Sequence, residues 1–149
     1  ALPISPFGAA RRVAATDAVA LWNDIRDAAC FAAPPGDAVW RASVAPTRMP
    51  DFIAEAKRGA KIEAGLYDWG CGLAWISVAA DGDCSAASIR AAIKATGGHA
   101  TLVRAPVEAR AKLEVFQPLA APLMQLTRAV KASFDPGGVL NPGRMYAGA

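Results

Sequence analysis

Two side chains in this 149-residue sequence combine a reactive group with a position where that group could be used. His99 is the sole histidine and begins a candidate strand after two glycines, and an imidazole can act as a base near neutral pH. Arg41 alternates with Trp40 in another candidate strand, so the two side chains should point to opposite faces. A guanidinium can hold a carboxylate through two parallel hydrogen bonds. Each residue also has a structural alternative, as a hydrogen-bonding histidine and as a surface arginine.

Other chemistries have little support in the sequence. Cys30, Cys71 and Cys84 form no C-x-x-C pair and leave an odd thiol under any single disulfide, so we expect reduced thiols. One histidine and no cluster of ligands argue against a metal site of the zinc type. The glycines lack the G-x-G-x-x-G spacing of a dinucleotide-binding loop. The net charge of +3 comes from scattered basic residues and demands no nucleic acid as partner.

The elements that must position these side chains predict an α+β fold. Between residues 38 and 104 the order is strand, helix, strand, strand, helix, strand, which is the ferredoxin-like βαββαβ pattern. Such a fold has an antiparallel sheet with helices on one face, and its other face is free to meet a ligand or a domain. The predicted strands are 38–45, 60–68, 72–79 and 99–104, and the predicted helices between them are 48–58 and 85–96.

Extra helices are predicted before and after this unit. One should run over 17–31 with Thr16 as its N-cap, and the other over 119–133 with Leu123, Leu126 and Val130 turned inward. Phe134 should anchor the end of the last helix.

The helix at 85–96 should be capped by Ser85 and should turn Ala87 and Ile89 towards the core. The sequence is 54% hydrophobic, which predicts a packed core. It has no apolar run near the ~18 residues of a membrane span.

The tail resembles a known family. Residues 134–146 read FDPGGVLNPGRMY. As structure alone, such a string ends a helix and makes a turn. It is also similar to the C-terminal signature of FAD-linked oxidases of the vanillyl-alcohol oxidase superfamily. Four further segments, in order, resemble the FAD-binding subunit of bacterial glycolate oxidase: VWRASV (39–44), YDWG (67–70), GGHATL (97–102) and VFQPL (115–119).

The resemblance implies a domain organisation and an activity. Residues 16–149 would be the C-terminal cap domain, after a partial lead-in at 1–15, and the N-terminal FAD domain would be absent from this chain. FAD would be held mainly by that missing domain, so the chain alone should be inactive. The full-length protein would oxidise glycolate to glyoxylate in a cytoplasmic complex with a paralogous flavin subunit and an iron–sulfur subunit. Any membrane association would be peripheral and would come through the complex.

The resemblance also implies roles for six residues. Arg26 and Arg41 would bind the substrate carboxylate, and His99 would be the catalytic base. The residues implied to contact the flavin are Asn141, Gly143 and Arg144.

The sequence departs from the family at the histidine. The position of His99 is similar to a Glu-His-Gly motif in the catalytic relatives, but Gly98 replaces the glutamate and Ala100 replaces the glycine. This departure favours an alternative, in which the chain is a non-catalytic assembly module of the same complex. A third hypothesis, an RNA-binding βαββαβ domain, is weakened because residues 69–76 lack a basic-Gly-aromatic core.

Overall fold

The computed structural model describes residues 12–32 and 37–148. The chain divides into two compact units, with the division between residues 33 and 34, and each is described by itself. The first unit contains helix α1 (Ala15–Arg26) and a 3₁₀ turn (Ala29–Phe31). The second unit contains β1 (Asp37–Ser43), α2 (Met49–Ala56), β2 (Ile62–Asp68), β3 (Leu73–Ala79), α3 (Ala86–Thr96), β4 (His99–Arg104), α4 (Val107–Arg110) and α5 (Ala121–Phe134). Most of the predicted lead-in at 1–15 lies outside the described residues.

The second unit contains a four-stranded antiparallel sheet. The strand order is β2-β3-β1-β4, so β1 pairs with both β3 and β4. Helix α2 connects β1 to β2, helix α3 connects β3 to β4, and the two helices pack against each other. This order and direction of strands confirm the predicted α+β, ferredoxin-like arrangement.

The core lies between the sheet and helices α2 and α3. Alternate residues of β1 point into it, and Trp40 is fully buried there with its indole Nε1 donating to the Cys84 carbonyl oxygen at 2.9 Å. Alternate residues of β3 and β4 also point into the core, because successive side chains along a strand point to opposite faces. The other large, fully buried side chains are Phe52, Ile76, Val78, Ile89 and Leu102.

Two predicted helix caps are wrong. Thr16 lies inside the first turn of α1, whose N-cap position is Ala14, and α1 ends at Arg26 because Ala28 adopts φ 50°. Ser85 precedes α3 in a left-handed conformation without a capping bond. A carboxylate two residues earlier does the capping, because Asp83 Oδ2 accepts the Ala87 backbone N–H at 2.8 Å. The Ala87 side chain is exposed rather than inward.

The prediction for the last helix is wrong about burial. Helix α5 has no buried residue, and Leu123, Leu126 and Val130 are about half exposed, while Phe134 is 84% exposed. Their spacing marks one apolar face, as the sequence predicts, but the described residues leave about half of that face or more exposed. Among the described residues, no helix is long and apolar enough to cross a membrane.

Candidate functional site

Arg41 lies on the sheet face opposite α2 and α3, as the alternation predicts. It pairs with Trp75 of β3 on one side and with Thr101 of β4 on the other. Its guanidinium carbon is 5.9 Å from the centroid of the Trp75 ring, within the range of a cation–π contact. No carboxylate among the described residues pairs with it. The half-buried guanidinium is therefore available to an anion from outside this unit.

His99 shares this face with Arg41. It is the register partner of Ser43, two residues along β1 from Arg41. Diagonal positions of this kind in an antiparallel pair are roughly 7–8 Å apart, which is within reach of one small molecule. The His99 side chain is exposed and makes no hydrogen bond to a described residue. The structure thus brings together the predicted base and one predicted carboxylate-binding residue.

Gly98 explains why the residue before His99 is not a glutamate. Its φ is 96°, and a Cβ built there would lie 2.2 Å from the Ser43 carbonyl oxygen. Real Cβ atoms essentially never approach backbone so closely, so this backbone accepts only glycine at position 98. No side chain from that position can orient the imidazole of His99.

A β-bulge adds a second arginine to the open face. The register of β1 and β4 shifts between Val39 and Trp40, and this shift makes Arg104 the partner of Val39. The Nε atom of Arg104 is buried and has no hydrogen-bond partner in the described chain. An unpaired buried donor costs free energy, so it is a place where an added acceptor would stabilise the protein. Plain alternation from Leu102 would have assigned Arg104 to the core face.

The open face presents one aromatic ring and one arginine to a partner. Trp75 and Arg41 are half-buried there, whereas Val39 and Leu73 lie on the same side of the sheet but are buried. Arg104 of β4 pairs with Val39, which is two residues from Arg41 along β1.

A cleft of about 890 Å³ opens at the outer edge of β4. No acidic side chain is among its lining residues. Its polar lining consists of Arg90, Lys94, His99, Thr101, Gln117 and Tyr146. Its larger apolar lining residues are Ile93, Phe116, Leu119, Leu123 and Met145. His99 and Thr101 thus belong both to the open face and to the cleft.

Arg90 of α3 holds the wall of this cleft in place. Its guanidinium lies 4.9 Å from the centroid of the Trp40 ring and donates to the carbonyl oxygens of Glu114 at 2.9 Å and Phe116 at 2.8 Å. It also donates to Gln117 Oε1 at 2.6 Å and to the carbonyl oxygen of Ala100 in β4. Burial lowers the pKa of Arg90, whereas Glu114 and Tyr146 act in the opposite direction. Sequence reasoning missed this residue, because its acceptors are mostly backbone carbonyls that no motif reveals.

Arg26 lies in the other unit and has a partner of its own. Its guanidinium donates to both carboxylate oxygens of Asp27, at 2.7 and 2.9 Å, near the exposed end of α1. This hydrogen bonding raises the pKa of Arg26 and lowers the pKa of Asp27. The predicted carboxylate-binding role of Arg26 stays a prediction.

The tail loop with the predicted flavin contacts is organised by Asp135. This buried carboxylate accepts the backbone N–H groups of Val139 at 3.0 Å and Leu140 at 2.9 Å, and the Lys131 ammonium at 2.8 Å. The bond from Lys131 is the main cause that lowers the pKa of Asp135 to about 2. Sequence reasoning assigned Asp135 only to helix termination. The aspartate of the F-D-P string was the available signal for its larger role.

The predicted flavin contacts lie along α5 rather than on the sheet face. Asn141 and Arg144 are exposed and border a pocket of about 400 Å³, which also contains Met145 and Tyr146. Those last two residues also line the cleft beside His99. Gly143, with φ 66°, borders the two pockets next to it. Met145 and Tyr146 therefore connect the pocket beside Asn141 and Arg144 with the cleft that His99 lines.

Comparison with known proteins supports the motif resemblance. The chain is 33% identical over 142 residues to the glycolate oxidase subunit GlcE of Escherichia coli (strain K12). The chain is similar to a glycolate oxidase subunit. The match covers 93% of the chain and the C-terminal part of the relative, so the chain spans about a third of that protein, 35% of its length. No known family profile matches the chain, and no solved structure does.

Proposed function

We propose that this chain is the cap domain of an FAD-dependent oxidoreductase subunit that converts glycolate, or a related 2-hydroxy acid, to the 2-oxo acid. The observation that supports this most is the shared sheet face of Arg41 and His99, two residues apart in the register of β1 and β4. A carboxylate-binding cation and a base at that distance are what a small 2-hydroxy acid requires. The similarity to a glycolate oxidase subunit favours glycolate as the substrate.

Each residue then has a defined task. Arg41 holds the substrate carboxylate, and its contact with Trp75 orients the guanidinium. A ring nitrogen of His99 takes the proton of the substrate hydroxyl. FAD, when bound, supplies the two-electron acceptor for the hydride of the α-carbon.

The FAD domain of the full-length protein would cover two surfaces of this chain. One is the open face with Arg104, whose buried Nε would gain an acceptor. The other is the part of the apolar face of α5 outside the cleft, formed by Leu126, Val130 and Phe134, because contiguous exposed apolar surface marks an interaction site. Asn141 and Arg144 would then donate hydrogen bonds to the cofactor side of this interface. The complex would include a paralogous flavin subunit and an iron–sulfur subunit as partners.

A second candidate is a non-catalytic assembly module of the same complex. The observation in its favour is Gly98, which leaves the imidazole of His99 without the flanking carboxylate of the catalytic relatives. In that case the open face would contact the flavin domain, but the reaction would take place in the paralogous subunit.

Glycolate-dependent bleaching of the flavin spectrum in the assembled complex separates the two candidates. We expect Arg41→Ala to raise KM, Arg41→Lys to restore part of the loss, and His99→Gln to lower kcat. Arg58→Ala is the matched control, because Arg58 is exposed and pairs with Glu55 on the helix side. Unchanged turnover in all variants of Arg41 and His99 would establish the assembly role and contradict the catalytic one.

A further inference from the structure

The cleft beside His99 is far larger than glycolate requires. Its volume of about 890 Å³ is in the range of pockets that bind whole drug-sized ligands, roughly 300–1,000 Å³. We propose that this cleft accommodates an apolar substituent on the α-carbon, so that the enzyme acts on 2-hydroxy acids with aliphatic or aromatic side chains. This inference rests on the proposed function, since it assigns a substrate class to the same site.

The geometry leaves one direction for such a substituent. The α-carbon of a 2-hydroxy acid bears a carboxylate, a hydroxyl, a hydrogen and one further group. With the carboxylate at Arg41, the hydroxyl at His99 and the hydrogen towards the flavin, only the further group is unassigned. His99 and Thr101 are residues of both the open face and the cleft, so the cleft begins where that group would point.

The lining of the cleft fits an apolar chain attached to an anion. Phe116, Leu119 and Leu123 provide apolar contacts, and Lys94 adds a cation to the lining. Burial of an apolar chain against such residues is favourable in proportion to its area.

The wall of the cleft is held in shape before any ligand binds. The Phe116 carbonyl oxygen accepts a hydrogen bond from Arg90, and the Phe116 ring lies 6.2 Å from the ring of Tyr146, centroid to centroid. A preformed apolar wall does not have to be ordered at the expense of binding free energy.

The electron balance is that of the proposed reaction. The substrate O–H bond breaks and its proton goes to His99. The α-C–H bond breaks and its hydride goes to FAD, so the carbon–oxygen bond becomes a carbonyl and the product is the 2-oxo acid. The length of the side chain changes none of these steps.

The test is a substrate series in the assembled full-length protein. kcat/KM is measured for glycolate, lactate, 2-hydroxybutyrate, 2-hydroxyhexanoate and 3-phenyllactate. We expect an increase of about fourfold per added methylene up to the length of the cleft. Leu123→Trp should narrow the cleft and lower kcat/KM for the two largest acids more than tenfold, with glycolate changed less than twofold. Gln125→Trp is the matched control, because Gln125 is exposed on the same helix, lies away from its apolar face and does not line the cleft.

Two results would overturn the inference in distinguishable ways. Oxidation of glycolate with kcat/KM falling at each added methylene would reject the cleft as a substrate pocket and leave the proposed function intact. Absence of flavin reduction by every acid would reject the proposed function itself. As a check against a folding defect of Leu123→Trp, Leu123→Ala should move the preferred substrate towards longer chains. An unchanged preference in Leu123→Ala would also count against the inference.

Discussion

Replacement of Arg90 by alanine should destabilise the second unit strongly. Arg90 connects α3, β4 and the segment after α4 through charged hydrogen bonds to Ala100, Phe116 and Gln117. A hydrogen bond to a charged group contributes about 1.5–3 kcal/mol, and its loss leaves the acceptor without a partner. The cation–π contact with Trp40 adds about 0.5–1 kcal/mol.

The loss of stability on Arg90→Ala is smaller than the sum of these contributions. Arg90 is only half-buried, so water can replace its most exposed hydrogen bonds. We count two of the hydrogen bonds at about 1.5 kcal/mol each and the cation–π contact at about 0.5–1 kcal/mol. The expected loss of stability for Arg90→Ala is therefore about 3–4 kcal/mol. That is a large part of the about 5–15 kcal/mol that stabilises a typical domain. The corresponding decrease in Tm is about 10–15 °C for a unit of this size.

Equilibrium unfolding in urea, followed by tryptophan fluorescence, measures this effect directly because Trp40 lies under the guanidinium. Arg90→Lys should recover part of the stability, since an ammonium keeps the charge but cannot reach all the acceptors. Arg58→Ala, which removes only an exposed ion pair with Glu55, should change stability by less than about 0.5 kcal/mol. A loss below about 1 kcal/mol in Arg90→Ala would refute the role of Arg90 as the connection between these elements.

Two further variants test the local geometry. Gly98→Ala should cost about 2–3 kcal/mol in thermal unfolding, since its Cβ would overlap the Ser43 carbonyl oxygen. Gly97→Ala, at φ 81° with open space around it, is the control for backbone strain alone, and an equal loss in both variants would contradict the overlap. For Asp135, the pKa of about 2 lies below the ordinary 3.8, so its stabilising effect should be complete above pH 4 and be lost as the pH falls towards 2. The difference in Tm between wild type and Asp135→Asn should therefore shrink as the pH falls from about 4 to 2, and a constant difference down to pH 2 would disprove the assignment.

Local sequence pattern was sufficient to assign Trp40 and Arg41 of β1 to their faces of the sheet. Alternation has a period of two and needs no knowledge of the rest of the chain, so Trp40 and Arg41 could be assigned to opposite faces. The order of strands and helices likewise predicted the ferredoxin-like sheet, because few topologies connect such elements with short loops. The predicted order of elements also placed His99 at the start of β4.

Long-range packing decided the rest. The register between β1 and β4 places His99 close enough to Arg41 for one small molecule to contact both. The bulge beside Val39 moves Arg104 to the same face. The exposure of the apolar face of α5 depends on what covers it, which periodicity does not encode.

The cleft and the connections of Arg90 depend on segments that are distant in sequence and meet only in the folded chain, such as α3 and residues 114–117. Sequence alone determined that Arg41 and His99 could do chemistry and on which face of β1 Arg41 would lie, whereas the face of Arg104 depended on the β-bulge. The tertiary structure decided which of them meet, because the distance between two residues on different strands is set by pairing and register, and neither is a local property of the chain.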